Sequence, residues 1–263
     1  MEKLIIVKIG GNIIDDEARL SAFLKLFAGI NEKKILVHGG GKVATSIGDR
    51  LGIESRYING RRITDAATID LVTMVYAGLI NKKIVAQLQS FHCNAIGLTG
   101  ADANMIPASK RAVKEIDYGF VGDVNQGAFA INVCSLLLQE NIAIVFAPIT
   151  HDGNGSLLNT NADTIAQETA KAMSASYEVT LVYSFEKPGV LLDAADDTTV
   201  IKRIGPAFYD QLKAEDKIFA GMIPKLDNAF AALNSGVQKV IIGHAEQLPE
   251  LIAGTTGTII INE

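Results

Sequence analysis

The chain has 263 residues, 48% of them hydrophobic and 20% charged, with a formal net charge of −5 at neutral pH. Such a length and balance suit a soluble α/β domain or two modest lobes with a full core, and exclude a disordered chain. Net acidity argues against general nucleic-acid binding, although a few convergent cations are enough to make a phosphate site on an acidic protein.

Cys93 and Cys134 are too few for a disulfide framework or a cysteine-rich zinc site, so a reducing cytoplasm is the expected location. No apolar run approaches the ~18 residues of a membrane span, and the opening MEKLIIVKIGG lacks the layout of a signal peptide.

Residues 4–9 read as a buried strand interrupted only by Lys8 and followed by Gly10-Gly11. Residues 16–29 have amphipathic helical spacing, and residues 34–38 form a second apolar run that ends in His38-Gly39-Gly40-Gly41. A helix is expected over residues 43–51. This predicts a right-handed β-α-β unit of parallel strands with a glycine corner at the end of each. Glycines let the backbone approach a phosphate closely, and a helix start offers unpaired N–H groups with a favourable dipole. Two such corners point to two clamps on one polyanion, at the carboxyl ends of the strands.

Residues 55–64, centred on Asn59-Gly60, predict a hairpin or flap. Thr64 or Asp65 caps a long helical stretch reaching residue 91, with a break near Gly78. A strand over 94–98, a hairpin excursion over 110–124, a helix over 128–140 and a strand over 142–147 come next. Polar, glycine-bearing residues 150–161 predict a loop before a helix over 161–173. Strands are expected at 178–183 and 190–192, separated by a turn. Helices over 206–215 and 223–235, a strand over 239–242, a short helix and a strand over 258–261 complete the chain. The alternation predicts α/β with a mostly parallel sheet, and neither solenoid repeat nor low-complexity linker is evident.

Lys8 is the sharpest chemical signal, since an unpaired cation inside an apolar strand costs several kcal/mol. Two residues ahead of Gly10-Gly11, it points into the corner where a phosphoryl group would offset that cost. The phosphate-loop pattern G-x-x-x-x-G-K-[ST] is absent. Gly39, Gly41 and Ala44 do fit the dinucleotide fingerprint, but the acidic residue expected about 20 positions on is replaced by the basic, turn-like Asn59-Gly60-Arg61-Arg62. Arginine forks suit carboxylates; Arg61 reads as a solvated turn residue, and for Arg62 a carboxylate clamp stands beside the solvated turn as the alternative. Asn159-Thr160-Asn161-Ala162-Asp163 opens a helix, with Asn161 placed as N-cap and Asp163 in the first turn. Lys225, in the first turn of the helix opened by Gly221-Met222-Ile223-Pro224, opposes the helix dipole and implies a nearby anion. His38, His92, His151 and His244 have no metal-ligand spacing; His38 is placed near the glycine corner.

Taken in order along the whole chain, these motifs resemble those of the amino acid kinase family, and Asn59-Gly60-x-Arg62 with Gly221-Met222-Ile223-Pro224-Lys225 is particular to its acetylglutamate branch. The resemblance implies a three-layer αβα sandwich of two lobes, residues 1–176 holding an acyl-amino acid and residues 177–263 holding ATP. It implies Lys8 and Lys225 as catalytic cations that also contact the nucleotide, with Asp163 holding them in place. Backbone N–H groups at Gly10, Gly11, Gly40 and Gly41 would bind phosphate. Gly40, Gly41, Arg62, Asn159 and Asn161 would bind the acceptor. Where the family usually carries an aspartate-bearing turn, this chain has Ser184-Phe185-Glu186-Lys187-Pro188-Gly189, which assigns Glu186 to the nucleotide.

The expected reaction is ATP-dependent phosphorylation of an N-acyl-L-glutamate side chain in arginine biosynthesis. Mg²⁺ is expected through the ATP phosphates, with no protein metal site and no nucleic-acid or membrane partner. Kinases of free glutamate, carbamate or UMP, and a silent sensor of the same fold, are the competing expectations. The flap and the retained lysine pair count against them. Arginine-inhibited relatives carry an extra N-terminal helix, whereas only Met1–Lys3 precede the first strand here; the expectation is a homodimer that arginine does not inhibit. The motifs do not distinguish an acetyl from a succinyl acceptor.

Overall fold

The computed structural model describes residues 1–263 except Asn59, Asp216, Phe219, Ala220, Gly221 and Glu263, and the backbone alone of Phe185. Asn59 of the flap and Gly221 of the late helix start therefore lie outside the described residues.

The first half runs β1 (Lys3–Ile9), α1 (Gly11–Ile14), α2 (Glu17–Ala28), β2 (Lys33–His38), α3 (Gly41–Leu51), β3 (Tyr57–Ile58), β4 (Arg61–Arg62) and α4 (Ala66–Thr73). A π-helical segment (Met74–Ile80) leads into α5 (Asn81–Ser90), β5 (Ala95–Leu98), β6 (Ala108–Lys110), β7 (Gly122–Val124), α6 (Ile131–Gln139) and β8 (Ala143–Phe146). Then come β9 (Ile149–His151), β10 (Leu157–Asn159), α7 (Ala162–Met173), β11 (Glu178–Phe185), β12 (Arg203–Ile204) and α8 (Pro206–Ala214). The chain closes with α9 (Ile223–Asn234), β13 (Lys239–His244), α10 (Leu248–Ala253) and β14 (Thr258–Ile260).

Eight strands make one sheet in the order β12-β14-β13-β11-β1-β2-β8-β5, parallel except where β13 meets β14. Residues before 177 supply β5, β8, β2 and β1, and residues after it supply the other half, with β1 and β11 paired at the centre. Because side chains alternate along a strand, β1 feeds two cores. Leu4 and Ile6 pack with Ile165 and Ala166 of α7 and with Leu226 and Ala229 of α9. Ile5, Val7 and Ile9 pack with Phe23 and Phe27 of α2 and with Ile84 and Leu88 of α5. The result is the three-layer αβα sandwich that the family resemblance implies, built on the mostly parallel sheet that the alternating sequence predicts. Lys8 shares the face of Leu4 and Ile6, which places it under α7 and α9.

Several expectations need correction. The helix after Asp65 does not break near Gly78: it widens into the π-helical turn, because Val75, Tyr76 and Ile80 stay buried and a helical glycine costs only ~1 kcal/mol. Residues 150–161 are a hairpin, β9 with β10, rather than a loop. Its polarity comes from the turn, where the Asp152 carboxylate accepts from Asn154 and Ser156 N–H groups, while Ile149, Thr150 and Leu158 are buried. Residues 190–192 form no strand; Leu191 makes an isolated bridge to Val200, and the Val190 N–H is taken by the Thr258 hydroxyl at 2.8 Å. Helix α3 begins at Gly41 instead of residue 43, α6 begins at Ile131 instead of residue 128, and α1 and β12 were too short for the periodicity to register.

Phe146 is fully buried on β8 and meets Phe129 edge-on at 6.3 Å. Phe146→Ala should lower unfolding stability by about 3–5 kcal/mol in urea titration; a loss below ~1 kcal/mol would show that this layer repacks freely.

Candidate active site

At the centre of the site is one carboxylate between two amines. Asn161 caps α7, its side chain accepting from the N–H groups of Asp163 at 2.8 Å and Thr164 at 3.2 Å. That cap fixes Asp163 in the first helical turn. Its Oδ1 lies 2.8 Å from Lys8 Nζ, and its Oδ2 accepts a hydrogen bond of 2.9 Å from Lys225 Nζ. Lys225 comes from the first turn of α9, behind Pro224. Lys8 and Asp163 are only 14% and 17% exposed, so their charges act in a poorly solvated region. Burial pushes the Asp163 pKa up, but the charges of Lys8 and Lys225 outweigh it and bring the pKa down to about 2. Two cations against one anion leave a net positive charge at the focus of the site.

The second glycine corner, between β2 and α3, is tightly specified at Gly40. Its φ is +149°, and a Cβ there would come within 2.3 Å of Ile80 Cδ1 and 3.2 Å of a Tyr76 ring carbon, so a side chain is excluded twice. Gly39 and Gly41 have open space where a Cβ would go, and both line the cleft. At the first corner the Gly10 N–H donates to Ser184 O at 3.2 Å, which ties the end of β1 to β11, and Gly11 opens α1. Glu186, past the end of β11, accepts from the Asn12 side chain, whose oxygen also accepts from Lys42. Glu186 is thus brought beside Gly10-Gly11.

On the opposite wall, β3 and β4 form the antiparallel flap. Arg62 is 7% exposed, and its guanidinium stacks on the Tyr57 ring with 4.8 Å to the centroid. The fork donates to Gly41 O and Thr45 Oγ1, both at 2.9 Å, and to Ser55 Oγ. It binds the flap to the start of α3, with its charge beside Gly41. Arg61 is exposed, as a turn residue should be, yet it also lines the cleft. Asn159 ends β10 and donates to the Thr64 hydroxyl at 3.1 Å.

These elements enclose a cleft of 570 Å³ whose walls include Gly40, Gly41, Arg62, Asn159, Asp163 and Lys225. Asn161 lines it as well, and Lys8 reaches it through Asp163. One charged cleft residue escaped the sequence reading. Arg111, on the hairpin of β6 and β7, forms a two-pronged ion pair with Asp123 and lies 5.7 Å from the Tyr118 ring centroid. An arginine in a turn-rich excursion carries no local mark of where it points, and Asp123, opposite Ser109 in the hairpin register, reaches it only diagonally.

An α/β sheet with glycine corners at two adjacent strand ends, the second of them lining one cleft with Asp163 and Lys225, suits a phosphotransferase acting on a small molecule. A model of the amino acid kinase family matches residues 3–244. The chain belongs to the amino acid kinase family. Among its relatives, the acetylglutamate kinase of Cytophaga hutchinsonii is 58% identical over 255 residues, covering 96% of this chain and 95% of the relative. That of Bacteroides thetaiotaomicron is 55% identical over 249 residues, covering 95% and 96%. In solved structures the fold recurs in smu.665 of Streptococcus mutans, with a TM-score of 0.78, 25% identity and 99% of both chains covered. It also recurs in Giardia carbamate kinase, with a TM-score of 0.70, 12% identity and 100% and 99% coverage.

The depressed pKa of Asp163 makes a stability prediction. Its folded value near 2 lies below the ordinary 3.8, so its contribution is complete above about pH 4 and is lost as the pH falls toward 2. The gap between wild type and Asp163→Asn in urea unfolding should therefore narrow by about 2 kcal/mol between pH 5 and pH 2. A gap independent of pH would mean that the carboxylate is not held ionised by the lysines.

Proposed function

We infer that the protein phosphorylates the side-chain carboxylate of an N-acyl-L-glutamate with ATP, giving an acyl phosphate, in arginine biosynthesis. The observation that carries this is the convergence of Lys8 and Lys225 on Asp163 in the wall of the cleft. Whole-length identity of 55–58% to proteins named acetylglutamate kinase supports the same reading.

The acceptor is already ionised at neutral pH, so no general base is needed. The barrier lies instead in bringing an anionic carboxylate up to a polyanionic triphosphate. Lys8 and Lys225 reduce that repulsion and stabilise charge on the transferring group, while Asp163 holds both amines at one point. The N–H groups at Gly10, Gly11, Gly40 and Gly41 would bind phosphoryl oxygens from two sides. Arg62 and Asn159 would hold the acceptor's α-carboxylate and acyl amide, with Gly40, Gly41 and Asn161 completing that wall. Residues 1–176 would thus serve the acyl-amino acid and residues 177–263 the nucleotide, with Glu186 replacing the aspartate usual in the nucleotide turn.

Mg²⁺ fits this site through ATP phosphates: both Asp163 oxygens are engaged by lysines, and Mg²⁺ favours phosphates and retained waters over a protein cage. When bound, it would neutralise phosphate charge. We extend the proposal to a cytoplasmic homodimer, which light scattering would check against a hexamer or a monomer.

Lys8→Ala and Lys225→Ala should each lower kcat at least ~10²-fold, about 2.7 kcal/mol of barrier. Arg62→Ala should act chiefly on KM for the acyl-glutamate. A coupled assay of ADP release with acetylglutamate, succinylglutamate and free glutamate tests the activity and identifies the acyl group. Turnover confined to free glutamate, or wild-type kcat in both lysine variants, would defeat the assignment.

A further inference from the structure

His38 and Asn81 lie outside the machinery described so far, yet both are buried polar residues directly behind the second glycine corner. His38 ends β2 and is fully buried; Asn81 begins α5 and is 1% exposed. The Asn81 Nδ2 group donates to Val145 O at 3.0 Å and is 3.2 Å from His38 Nε2. Its Oδ1 accepts from Lys82 Nζ at 3.1 Å, and Lys82 also donates to Gly97 O at 2.7 Å. On its other side, His38 Nδ1 lies 2.8 Å from Gly39 O.

These contacts admit one arrangement of protons. A carbonyl oxygen only accepts, so Val145 O fixes the Asn81 amide with its nitrogen inward. That nitrogen has a second hydrogen, which points at His38 Nε2 and makes Nε2 an acceptor. A neutral imidazole then carries its proton on Nδ1, where it donates to Gly39 O. In a trans peptide the carbonyl and the following N–H point in opposite directions, and the described residues include no cis peptide. Holding Gly39 O back toward the imidazole therefore turns the Gly40 N–H away from it. The π-helical segment braces the same corner from the other side, since Ile80 and Tyr76 abut Gly40. Such π turns are frequent at functional sites.

We propose that His38 and Asn81 are positioning residues: the Asn81 amide selects the Nδ1-protonated imidazole, which anchors the Gly39–Gly40 peptide and aims the Gly40 N–H into the cleft. The proposal rests on the phosphoryl-transfer reading of that corner. Burial, with a smaller contribution from the Lys82 charge and against the Gly39 hydrogen bond, pushes the His38 pKa down to about 4. Other titratable groups on neighbouring elements include Tyr76 of the π-helical segment and Lys42 at the start of α3, with Lys8 of β1 and Asp163, Glu168 and Lys171 of α7 on the opposite side of the sheet.

Two measurements test this. In the wild-type protein labelled with ¹⁵N-histidine, ring correlations of His38 should show a neutral, Nδ1-protonated imidazole from pH 8 down to pH 5. An Nε2-protonated ring, or titration near pH 6.5, overturns the proposal without any variant having to fold and without reference to the substrate. The second measurement is kinetic. Asn81→Leu removes the selecting donor and should lower kcat by about 10- to 100-fold, as small misplacements of binding groups do. Asn81→Asp puts an acceptor where Nε2 needs a donor, so the imidazolium is favoured at low pH with Nδ1–H still on Gly39. Deprotonation leaves the remaining proton on Nε2 facing the carboxylate, and Nδ1 then repels Gly39 O. The kcat of Asn81→Asp should therefore fall between pH 5 and pH 8 in a way the wild type's does not. A pH profile parallel to wild type, or unchanged kcat in Asn81→Leu with its fold verified by circular dichroism, refutes the positioning role. An inactive wild type on every acyl-glutamate would instead sink the kinase reading and leave the tautomer result standing.

Discussion

One carboxylate holds this site together. Two lysine amines brought close on a poorly solvated surface repel each other, and neither would stay there without a counter-charge. Asp163 supplies it, with one oxygen for each amine. The elements that meet there are distant in sequence: the first strand, the start of α7 and the start of α9. Each is fixed by its own local chemistry, namely the alternation of β1, the Asn161 cap and the Pro224 first turn. The positive focus is therefore built into the fold before any ligand arrives, which is what electrostatic preorganisation requires.

A second constraint is steric. The glycine corner after β2 is pressed from behind by Ile80 and Tyr76, so Gly40 has neither the room nor the φ for a side chain. Gly39 and Gly41 are different, because the space beside them is the cleft itself. The three consecutive glycines thus answer two demands: close packing against the π-helical segment on one side, and access to backbone N–H groups on the other. The arginine of the flap follows the same economy of placement. Arg62 bonds to Gly41 O and Thr45 while stacking on Tyr57, so a cleft-lining cation also fastens the flap to α3.

An overall acidic chain carries this cationic site without contradiction. The surface charge keeps the molecule acidic at long range, whereas the cleft is dominated by Lys8, Lys225, Arg61, Arg62 and Arg111 at short range. Several of these are already paired, Arg111 with Asp123 and the lysines with Asp163. The pairing keeps the cleft from being a cluster of unopposed charges, and it orients the donors that remain.

Much of this was written in the chain. Near-continuous apolar runs ending in glycine gave β1, β2 and their corners. The Asn161 cap announced α7. A lysine inside an apolar strand, and another at the unfavourable end of a helix, each called for an anion. These are local signals, because backbone conformation and desolvation act over a few residues. The hairpin of β9 and β10, the π-helical turn and the inward reach of Arg111 left no such mark, since three-residue strands and a widened helix turn are decided by what packs against them. The same holds for the central pairing. Residue by residue, the sequence shows only that Lys8 and Lys225 each need a counter-charge; the family resemblance implied Asp163 for both, and the folded sheet, which sets β1 beside β11 with α7 and α9 above them, brings it there.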